Sequence, residues 1–404
     1  MHSLNPFRVL VVHRNFRIFW IGQTVSLSGT WMQQMAQGWL ALELTRNAFY
    51  VGLVATVGSL PIVLLSLQAG VLVDRMDKHK LVTIAQSLLM LDAVILWWFA
   101  WSGHATIGWL LLLAAVNGLV SAIEIPARQA LIIELVGRED LPAAIALNSS
   151  GFNLARIIGP AIAAVVIAKA GLAWCFGLNA LSYFAVLIGL LRMHLPRWVA
   201  QPSAASALEG LLAGIRYMRS TPTVNSLMKL VTVYSVFGVP YLTLMPVMAH
   251  DRLGLDASGY GLLLAAVGAG GVAGALFLAA VSQRVRRGRL LAWSSYTFPV
   301  LLGAVALTRS PVVAGVLLLL TGFAMILNNA LGNALLQAVV PDAFRGRLMA
   351  AYSFVVVGLS QVVGAFIGGA VARAFGVEWA IGAGAAIMFV YALYATRSPT
   401  MRTL

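Results

Sequence analysis

Residues 70–81 read Gly-Val-Leu-Val-Asp-Arg-Met-Asp-Lys-His-Lys-Leu, a charged turn between two long apolar runs at 49–73 and 81–101. Each flanking run is long enough to cross about 30 Å of hydrocarbon as a helix. The alternation of apolar runs and short charged breaks continues along the chain. Of its 404 residues, 60% are apolar and 10% are charged, whereas soluble domains carry about 25% charged residues. We therefore predict an all-α polytopic membrane protein.

Twelve apolar runs are predicted to cross the membrane as helices. They cover residues 17–41, 49–73, 81–101, 106–128, 143–168, 172–193, 224–249, 258–282, 290–308, 311–338, 347–372 and 379–396. The longest polar break, 195–223, divides these spans six and six. We therefore predict an N-terminal six-helix bundle over residues 1–194, a cytoplasmic linker over 195–223 and a C-terminal six-helix bundle over 224–404.

The net charge of +14 comes from 27 Lys and Arg residues against 13 Asp and Glu residues. In a soluble chain such an excess indicates nucleic-acid binding, but in a membrane protein it is better explained by the positive-inside rule. With a cytoplasmic N-terminus, 21 basic residues fall on the cytoplasmic side and Arg156 falls within the membrane. The basic residues left outside are Arg46, Lys169, Arg252, Arg309 and Arg373. Both termini are therefore predicted to be cytoplasmic.

The charged turn between the second and third spans matches the pattern Gly-x-Leu-x-Asp-Arg at Gly70, Leu72, Asp74 and Arg75. It resembles the signature loop of the major facilitator superfamily, a fold of two six-helix bundles related as parallel repeats. The resemblance implies that Gly70, Asp74 and Arg75 form a conformational latch, with Gly70 permitting close helix approach. Asp77 replaces the second glycine of the family pattern. The alternative is a solvated charged turn.

The fifth predicted span contains Ala-Arg-Ile-Ile-Gly-Pro-Ala-Ile-Ala-Ala at residues 155–164. It resembles the antiporter signature Gly-x-x-x-Gly-Pro-x-x-Gly-Gly, with alanine at three of the glycine positions. Small residues let two helices approach closely, and proline bends a helix. The resemblance therefore implies a hinge at Gly159 and Pro160 and favours exchange over uptake. Ordinary packing of small residues is the alternative.

Further stretches narrow the resemblance: residues 19–32, which begin Phe-Trp-Ile-Gly-Gln, residues 126–130, Pro-Ala-Arg-Gln-Ala, and Ala-Leu-Asn at 146–148. Together they look like the transmembrane secretion effector group, which includes enterobactin and macrolide exporters and related drug:proton antiporters. The resemblance implies a secondary transporter that exports amphipathic organic small molecules by proton antiport and alternating access. One departure is that Ala114 stands where many drug antiporters carry an arginine.

Polar residues recur along one face of the first span, at steps of 3, 4, 4 and 3. Toward lipid such side chains would lack hydrogen-bond partners, so they are predicted to line a central substrate cavity. Hydrogen bonding between helices is the alternative. The residues are Gln23, Ser26, Thr30, Gln34 and Gln37. Further candidates for the substrate site are Asn117, Asn153, Arg156, Tyr234, Tyr241, Asn329 and Gln361.

Ionisable side chains within membrane spans are costly and are therefore candidate functional groups. Asp92 in the third span and Glu124 in the fourth are the predicted proton-coupling residues. A carboxylate in apolar surroundings can bind and release a proton near neutral pH. Two alternatives stay open: Glu124 pairs with Arg128 one helical turn away, or Asp92 neutralises Arg156.

The sequence contains no Gly-Lys-Ser/Thr phosphate-binding loop, no His-Glu-x-x-His motif and no Cys/His cluster. We therefore predict a transporter rather than an enzyme, without a metal or another cofactor. Its expected partners are a small-molecule substrate, the proton as coupling ion and the lipid bilayer, not nucleic acid, and a monomer is expected to suffice. The predicted location is the inner membrane of a bacterium. The alternatives are an importer or facilitator, a non-transporting sensor and an intramembrane enzyme.

Overall fold

The computed structural model describes residues 7–137, 139–193, 207–281 and 285–397. In these ranges the chain forms helices joined by short turns and contains no β-strand. The helices of the N-terminal half and the linker are α1 (Arg8–Val12), α2 (Arg14–Thr45), α3 (Ala48–Arg75), α4 (Lys78–Trp101), α5 (Ile107–Val136), α6 (Leu141–Ala170), α7 (Ala173–Leu191) and α8 (Ala207–Ser220). Those of the C-terminal half are α9 (Pro222–Val233), α10 (Tyr241–Val247), α11 (Ala257–Val281), α12 (Arg287–Leu307), α13 (Pro311–Val339), α14 (Asp342–Ser353), α15 (Ala365–Phe375) and α16 (Val377–Arg397).

Eleven helical segments of the described residues are long and apolar enough to cross a membrane. They correspond to the second through twelfth predicted spans, and three π-helical stretches, Tyr234–Gly238, Met248–Arg252 and Phe354–Gly364, continue helices of the second half. The first predicted span is α2, a helix of 32 residues whose polar side chains lower its mean hydropathy. Helices therefore lie at all twelve predicted spans, as an all-α membrane fold requires.

The chain divides into two compact units, of which the first comprises Met1–Leu40 and Pro61–Ala207. Within it α4 packs between α5 and α7, and α6 packs against the same two helices. Helix α2 approaches α6 at Gly159, where a Cβ atom would lie 2.6 Å from the carbonyl oxygen of Ser28 and 2.7 Å from Cβ of Trp31. The missing side chain at Gly159 therefore permits this contact. The buried apolar core of the unit includes Phe16, Phe19, Val82, Leu131 and Leu190.

The second unit comprises Ala41–Leu60 and Leu208–Leu404. In it α13 packs between α11 and α12, and α12 also packs against α16. Residues 41–60 belong to this unit because α3 meets α15 at Gly52, where a Cβ atom would overlap the carbonyl oxygen of Ala365. The compact units thus differ from the predicted bundles in residues 41–60, and part of the predicted linker forms α8. The division of the spans into six and six stays a prediction.

Candidate functional site

The first unit buries a hydrogen-bonded polar layer formed by α2, α4 and α5. Gln86 donates to Oε1 of Glu124 at 2.8 Å and to Oε1 of Gln23 at 3.4 Å. The same oxygen of Glu124 accepts a hydrogen bond from Nε of Arg128 at 2.9 Å. Each of the four residues is at most 8% exposed. The pairing of Glu124 with Arg128 is therefore confirmed. Gln86 joins this ion pair to Gln23 on α2.

A second polar layer lies further along α4 and α5. Asn117 donates to Oδ2 of Asp92 at 3.3 Å and accepts from Ser121 at 3.4 Å. Asp92 is 3% exposed, and its Oδ1 atom has no hydrogen-bond partner among the described residues. Six positions separate Asp92 from Gln86, so the two layers are about 9 Å apart along α4. The hydrogen-bond partner of Asp92 is thus Asn117 and not Arg156.

The predicted polar face of α2 divides between buried and accessible positions. Gln23 and Ser26 are buried, and the half-buried Thr30 donates to the backbone oxygen of Ser26 at 3.1 Å. Gln34 is exposed. Gln37 is half-buried, and its Nε2 atom is enclosed without a partner in the described part of the chain. Side chains at one helical spacing therefore lie in different environments, and their assignment to a substrate cavity stays a prediction.

A buried pair between α2 and α7 was not predicted from the sequence. Asn179 donates to Oε1 of Gln33 at 2.7 Å, and Ser182 donates to Oδ1 of Asn179 at 3.1 Å. Gln33 precedes Gln34 and so projects about 100° away from it around the helix. The sequence feature that could have indicated this pair is Gly29, which lies one turn before Gln33. Because Gly29 has no side chain, it makes room for the amide of Asn179.

The second unit contains a neutral counterpart of these layers. Tyr234, in the π-helical stretch after α9, donates to the backbone oxygen of Ser295 on α12, and Asn328 on α13 donates to Oγ of Ser295 at 2.8 Å. The hydroxyl of Tyr241 contacts Sδ of Met325 at 3.9 Å. These elements are the first, third and fourth spans of their half, as α2, α4 and α5 are of theirs. Among the described residues, a carboxylate takes part only in the layers of the first unit.

Four further predicted substrate residues are partly or fully accessible. Asn153 is exposed on α6 and donates to the backbone oxygen of Ser149 at 2.9 Å. Arg156, one turn further on, is half-buried. Asn329 on α13 and Gln361 in the π-helical stretch before α15 are also half-buried. The assignment of these residues to a substrate site stays a prediction.

The turn between α3 and α4 is closed by a helix cap. Asp77 accepts a hydrogen bond from the backbone N–H of Lys80 at 3.1 Å, so the residue that replaces the family glycine is the N-cap of α4. Asp74 and Arg75 are exposed. A Cβ atom at Gly70 would meet no heavy atom of the described chain within 4 Å, so the close helix contact expected there does not form in this structure. A latch that includes these residues stays a prediction.

The predicted hinge residues lie within a single helix. Gly159 and Pro160 are buried in α6, which begins at Leu141 and ends at Ala170. Pro160 has no backbone N–H and cannot bond to the preceding turn of the helix. Gly159 meanwhile permits the contact with α2. A weakened backbone and a close helix contact thus occur side by side, while bending at this point stays a prediction.

The transmembrane secretion effector family model matches residues 2–403 of the chain, which is nearly its whole length. The chain belongs to this family. Among its relatives, the staphyloferrin A transporter of Staphylococcus aureus is 29% identical over 279 residues, which are 69% of this chain and 70% of the relative. The enterobactin exporter EntS of Shigella flexneri is 26% identical over 341 residues, which are 84% of this chain and 81% of the relative.

Solved structures share the fold of this family member at lower identity. A bacterial homologue of the human lysosomal transporter Spinster, in an inward-facing and unoccupied conformation, has a TM-score of 0.74 and 14% identity, covering 96% of this chain and 97% of that one. An inward-facing bacterial homologue of the iron transporter ferroportin has a TM-score of 0.73 and 16% identity, covering 96% and 100%. The predicted major facilitator fold is therefore confirmed. The protein is a multi-pass membrane transporter of a small-molecule substrate and not an enzyme.

Proposed function

We propose that this transporter exports amphipathic organic small molecules, of drug or siderophore type, in exchange for protons and by alternating access. The proposal places it in the inner membrane of a bacterium, with both termini in the cytoplasm. Export is supported by the relative named as an enterobactin exporter, and a siderophore-like cargo by both named relatives. The observation that carries the coupling is the buried carboxyl of Asp92, whose Oδ1 atom has no partner among the described residues.

Asp92 is a better candidate for the coupling proton than Glu124. Protonation of Glu124 would leave Arg128 as a buried charge without its counter-ion, and breaking such a pair costs about 3–5 kcal/mol. Among the described residues, the hydrogen-bond partner of Asp92 is the neutral amide of Asn117, so a proton can bind there without isolating an opposite charge. A proton on Oδ1 also leaves the hydrogen bond from Asn117 to Oδ2 in place.

The substrate path is proposed to include the accessible polar side chains of the first unit. Gln34 and Asn153 are exposed amides, and Arg156 adds a positive charge on the helix that carries Asn153. Amide and guanidinium groups among apolar side chains suit a molecule that carries polar groups on an apolar frame. Gln23, by contrast, is hydrogen-bonded to Gln86 in a packed layer, and we assign it to the contact between α2 and α4.

The test uses the purified transporter in proteoliposomes, with enterobactin and staphyloferrin A as probes. A gradient that drives protons in the direction opposite to substrate movement is expected to accelerate substrate flux several-fold. A protonophore is expected to abolish this acceleration. Asp92→Asn should retain counterflow exchange and lose the response to the gradient. Asp256→Asn, which changes a carboxyl between α10 and α11, is the control and should respond as the wild type does.

An importer or facilitator is the second candidate, because the Staphylococcus aureus relative is named as a transporter without a direction. The same vesicles separate these functions. Flux of equal rate with and without the pH gradient would identify a facilitator and overturn the antiport. Flux driven in the same direction as the proton gradient would identify a symporter. A wild-type response to the gradient in Asp92→Asn would remove Asp92 from the coupling mechanism.

A further inference from the structure

A cavity of about 490 Å³ opens in the second unit, where the turn between α2 and α3 meets the π-helical end of α10 and the turn between α15 and α16. Its charged lining consists of three guanidinium groups and two carboxylates, so the cavity carries one excess positive charge. These residues are Arg46, Asp251, Arg252, Arg373 and Glu378. The basic members are three of the five Lys and Arg residues that the charge distribution predicts to lie outside.

The positive groups of this cavity are incompletely paired. Arg252 lies 3.6 Å from Glu378 through Nη1, but its Nε atom is buried and has no hydrogen-bond partner among the described residues. Arg373 lies over the ring of Phe49, 5.9 Å from its centroid. Within the described part of the chain, neither Arg46 nor Arg373 has a carboxylate oxygen within 4.0 Å. Hydrogen-bond donors and positive charge are thus available to an added acceptor.

Arg46 is held at the cavity by a neutral contact. Its Nη1 atom donates to Nε2 of His250 at 2.6 Å, and Nδ1 of His250 lies 2.6 Å from Oδ1 of Asp251. Arginine has no acceptor, so Nε2 of His250 is the acceptor in this contact and Nδ1 is the ring nitrogen that faces Asp251 as a donor. The imidazole therefore holds Arg46 at the cavity without adding a negative charge, and the guanidinium groups still exceed the carboxylates by one.

The backbone conformation of Arg46 indicates that this residue has a functional role. Its φ is +49°, the only positive value among the described residues other than glycine. A side chain in this region is strained, and such strain occurs preferentially at binding and switching sites. The conformation directs an arginine to the cavity at a turn where glycine would fit the backbone better. The fold therefore retains a guanidinium here against a conformational cost.

We propose that this cavity is a binding site for the carboxylate of a small organic acid. Guanidinium groups bind carboxylates through paired, charge-assisted hydrogen bonds, which matches the donors that Arg46, Arg252 and Arg373 present. Glu378 competes with the ligand for Arg252 and so limits its affinity. The site depends on contacts within the second unit and does not depend on the proposed proton antiport.

Benzoate and its neutral analogue benzamide are the probes for this site, titrated calorimetrically into the full-length protein in zwitterionic lipid nanodiscs. Benzoate is expected to bind and to raise the unfolding temperature, and benzamide is not. Arg46→Gly should weaken benzoate binding about tenfold or more, because it removes a charge-assisted donor. Since glycine accepts a positive φ, its unfolding temperature without ligand should equal or exceed that of the wild type.

Two further variants separate the site from general charge effects. Arg309→Ala removes an exposed arginine outside the cavity and should leave benzoate affinity unchanged. Glu378→Gln should tighten benzoate binding several-fold, because it frees Arg252 from its carboxylate. Equal affinity of the wild type and Arg46→Gly, or equal binding of benzoate and benzamide, would overturn the proposal.

An anionic lipid headgroup is the other oxyanion that could occupy this cavity. Nanodiscs that contain phosphatidylglycerol test it directly. Benzoate affinity that is unchanged by this lipid supports a soluble organic acid as the ligand. Loss of benzoate binding in those discs, restored in purely zwitterionic ones, would overturn that assignment in favour of a lipid headgroup.

Discussion

Gln86 on α4 donates a hydrogen bond of 2.8 Å to Glu124 on α5, at a position where both side chains are almost fully buried. The same carboxylate oxygen accepts from Arg128 at 2.9 Å. In the second unit, α12 and α13 are joined by the hydrogen bond of 2.8 Å from Asn328 to Ser295. The third and fourth spans of each half are thus tied by a polar contact in apolar surroundings, and among the described residues only the contacts of the first unit, which involve Glu124 and Asp92, include a carboxylate.

Glu124→Gln is expected to destabilise the protein by about 3–5 kcal/mol, because it leaves Arg128 buried without its counter-charge. The double change Glu124→Gln with Arg128→Met should recover much of this loss, since no buried charge then remains. Denaturant unfolding in nanodiscs, followed by tryptophan fluorescence, measures both effects. If the double variant is no more stable than Glu124→Gln alone, the ion pair is not the source of the loss.

Gly159→Ala is expected to destabilise the protein by about 1–3 kcal/mol, because its Cβ atom would lie 2.6 Å from the carbonyl oxygen of Ser28. Gly70→Ala is the matched change on α3, where no described heavy atom lies within 4 Å of the added Cβ. It should stabilise the helix by about 0.5–1 kcal/mol. The same unfolding measurement compares the two variants.

Gly70→Ala also tests the predicted latch. If Gly70 acts in a closed state of the turn between α3 and α4, the alanine variant should lose transport while keeping its stability. Transport at the wild-type rate would remove Gly70 from the latch. If Gly70→Ala destabilised the protein as much as Gly159→Ala does, then the space around Gly70 would not be open as the structure shows it.

The helices could be predicted because the bilayer sets their length and their apolar character. The run predicted over 81–101 is the helix Lys78–Trp101, and the three added residues follow from the cap that Asp77 provides. Helix α8 (Ala207–Ser220) was not predicted, because it is too short and too polar to resemble a membrane span. The contact that places residues 41–60 in the second unit depends on which helices are neighbours, and no local pattern specifies this.

Apart from the pairing of Glu124 with Arg128 within one helix, the sequence predicted the residues of the candidate site but not their partners. Asp92 and Glu124 stand out because a charge in an apolar run is rare. Their partners Asn117 and Gln86 lie on a neighbouring helix, so the hydrogen bonds depend on packing that periodicity does not reveal. The neutral residue Gln86 carries no such signal, although it joins α2, α4 and α5 in one layer.

Gln33→Leu is expected to destabilise the protein by about 1–3 kcal/mol, because it removes the acceptor of the buried amide of Asn179. Gln34→Leu changes the adjacent, exposed position and should alter stability by no more than about 0.5 kcal/mol. Unfolding measurements establish the difference. In the proteoliposome assay Gln34→Leu should instead raise the KM for the substrate, and an unchanged KM would remove Gln34 from the substrate path.

Asp256→Ala is expected to destabilise the protein by about 1 kcal/mol at pH 7, because the side chain caps the start of α11. Asp256 accepts hydrogen bonds from the backbone N–H of Gly259 at 2.8 Å and the hydroxyl of Ser258 at 2.7 Å. These bonds, that from Gly259 first, hold its pKa below the ordinary value. The stabilisation is therefore complete above the unfolded pKa of about 3.9 and is lost as the pH falls through the folded pKa. Unfolding of wild type and variant from pH 7 downward should show the two stabilities converging, whereas a constant difference would show that the carboxylate charge plays no part.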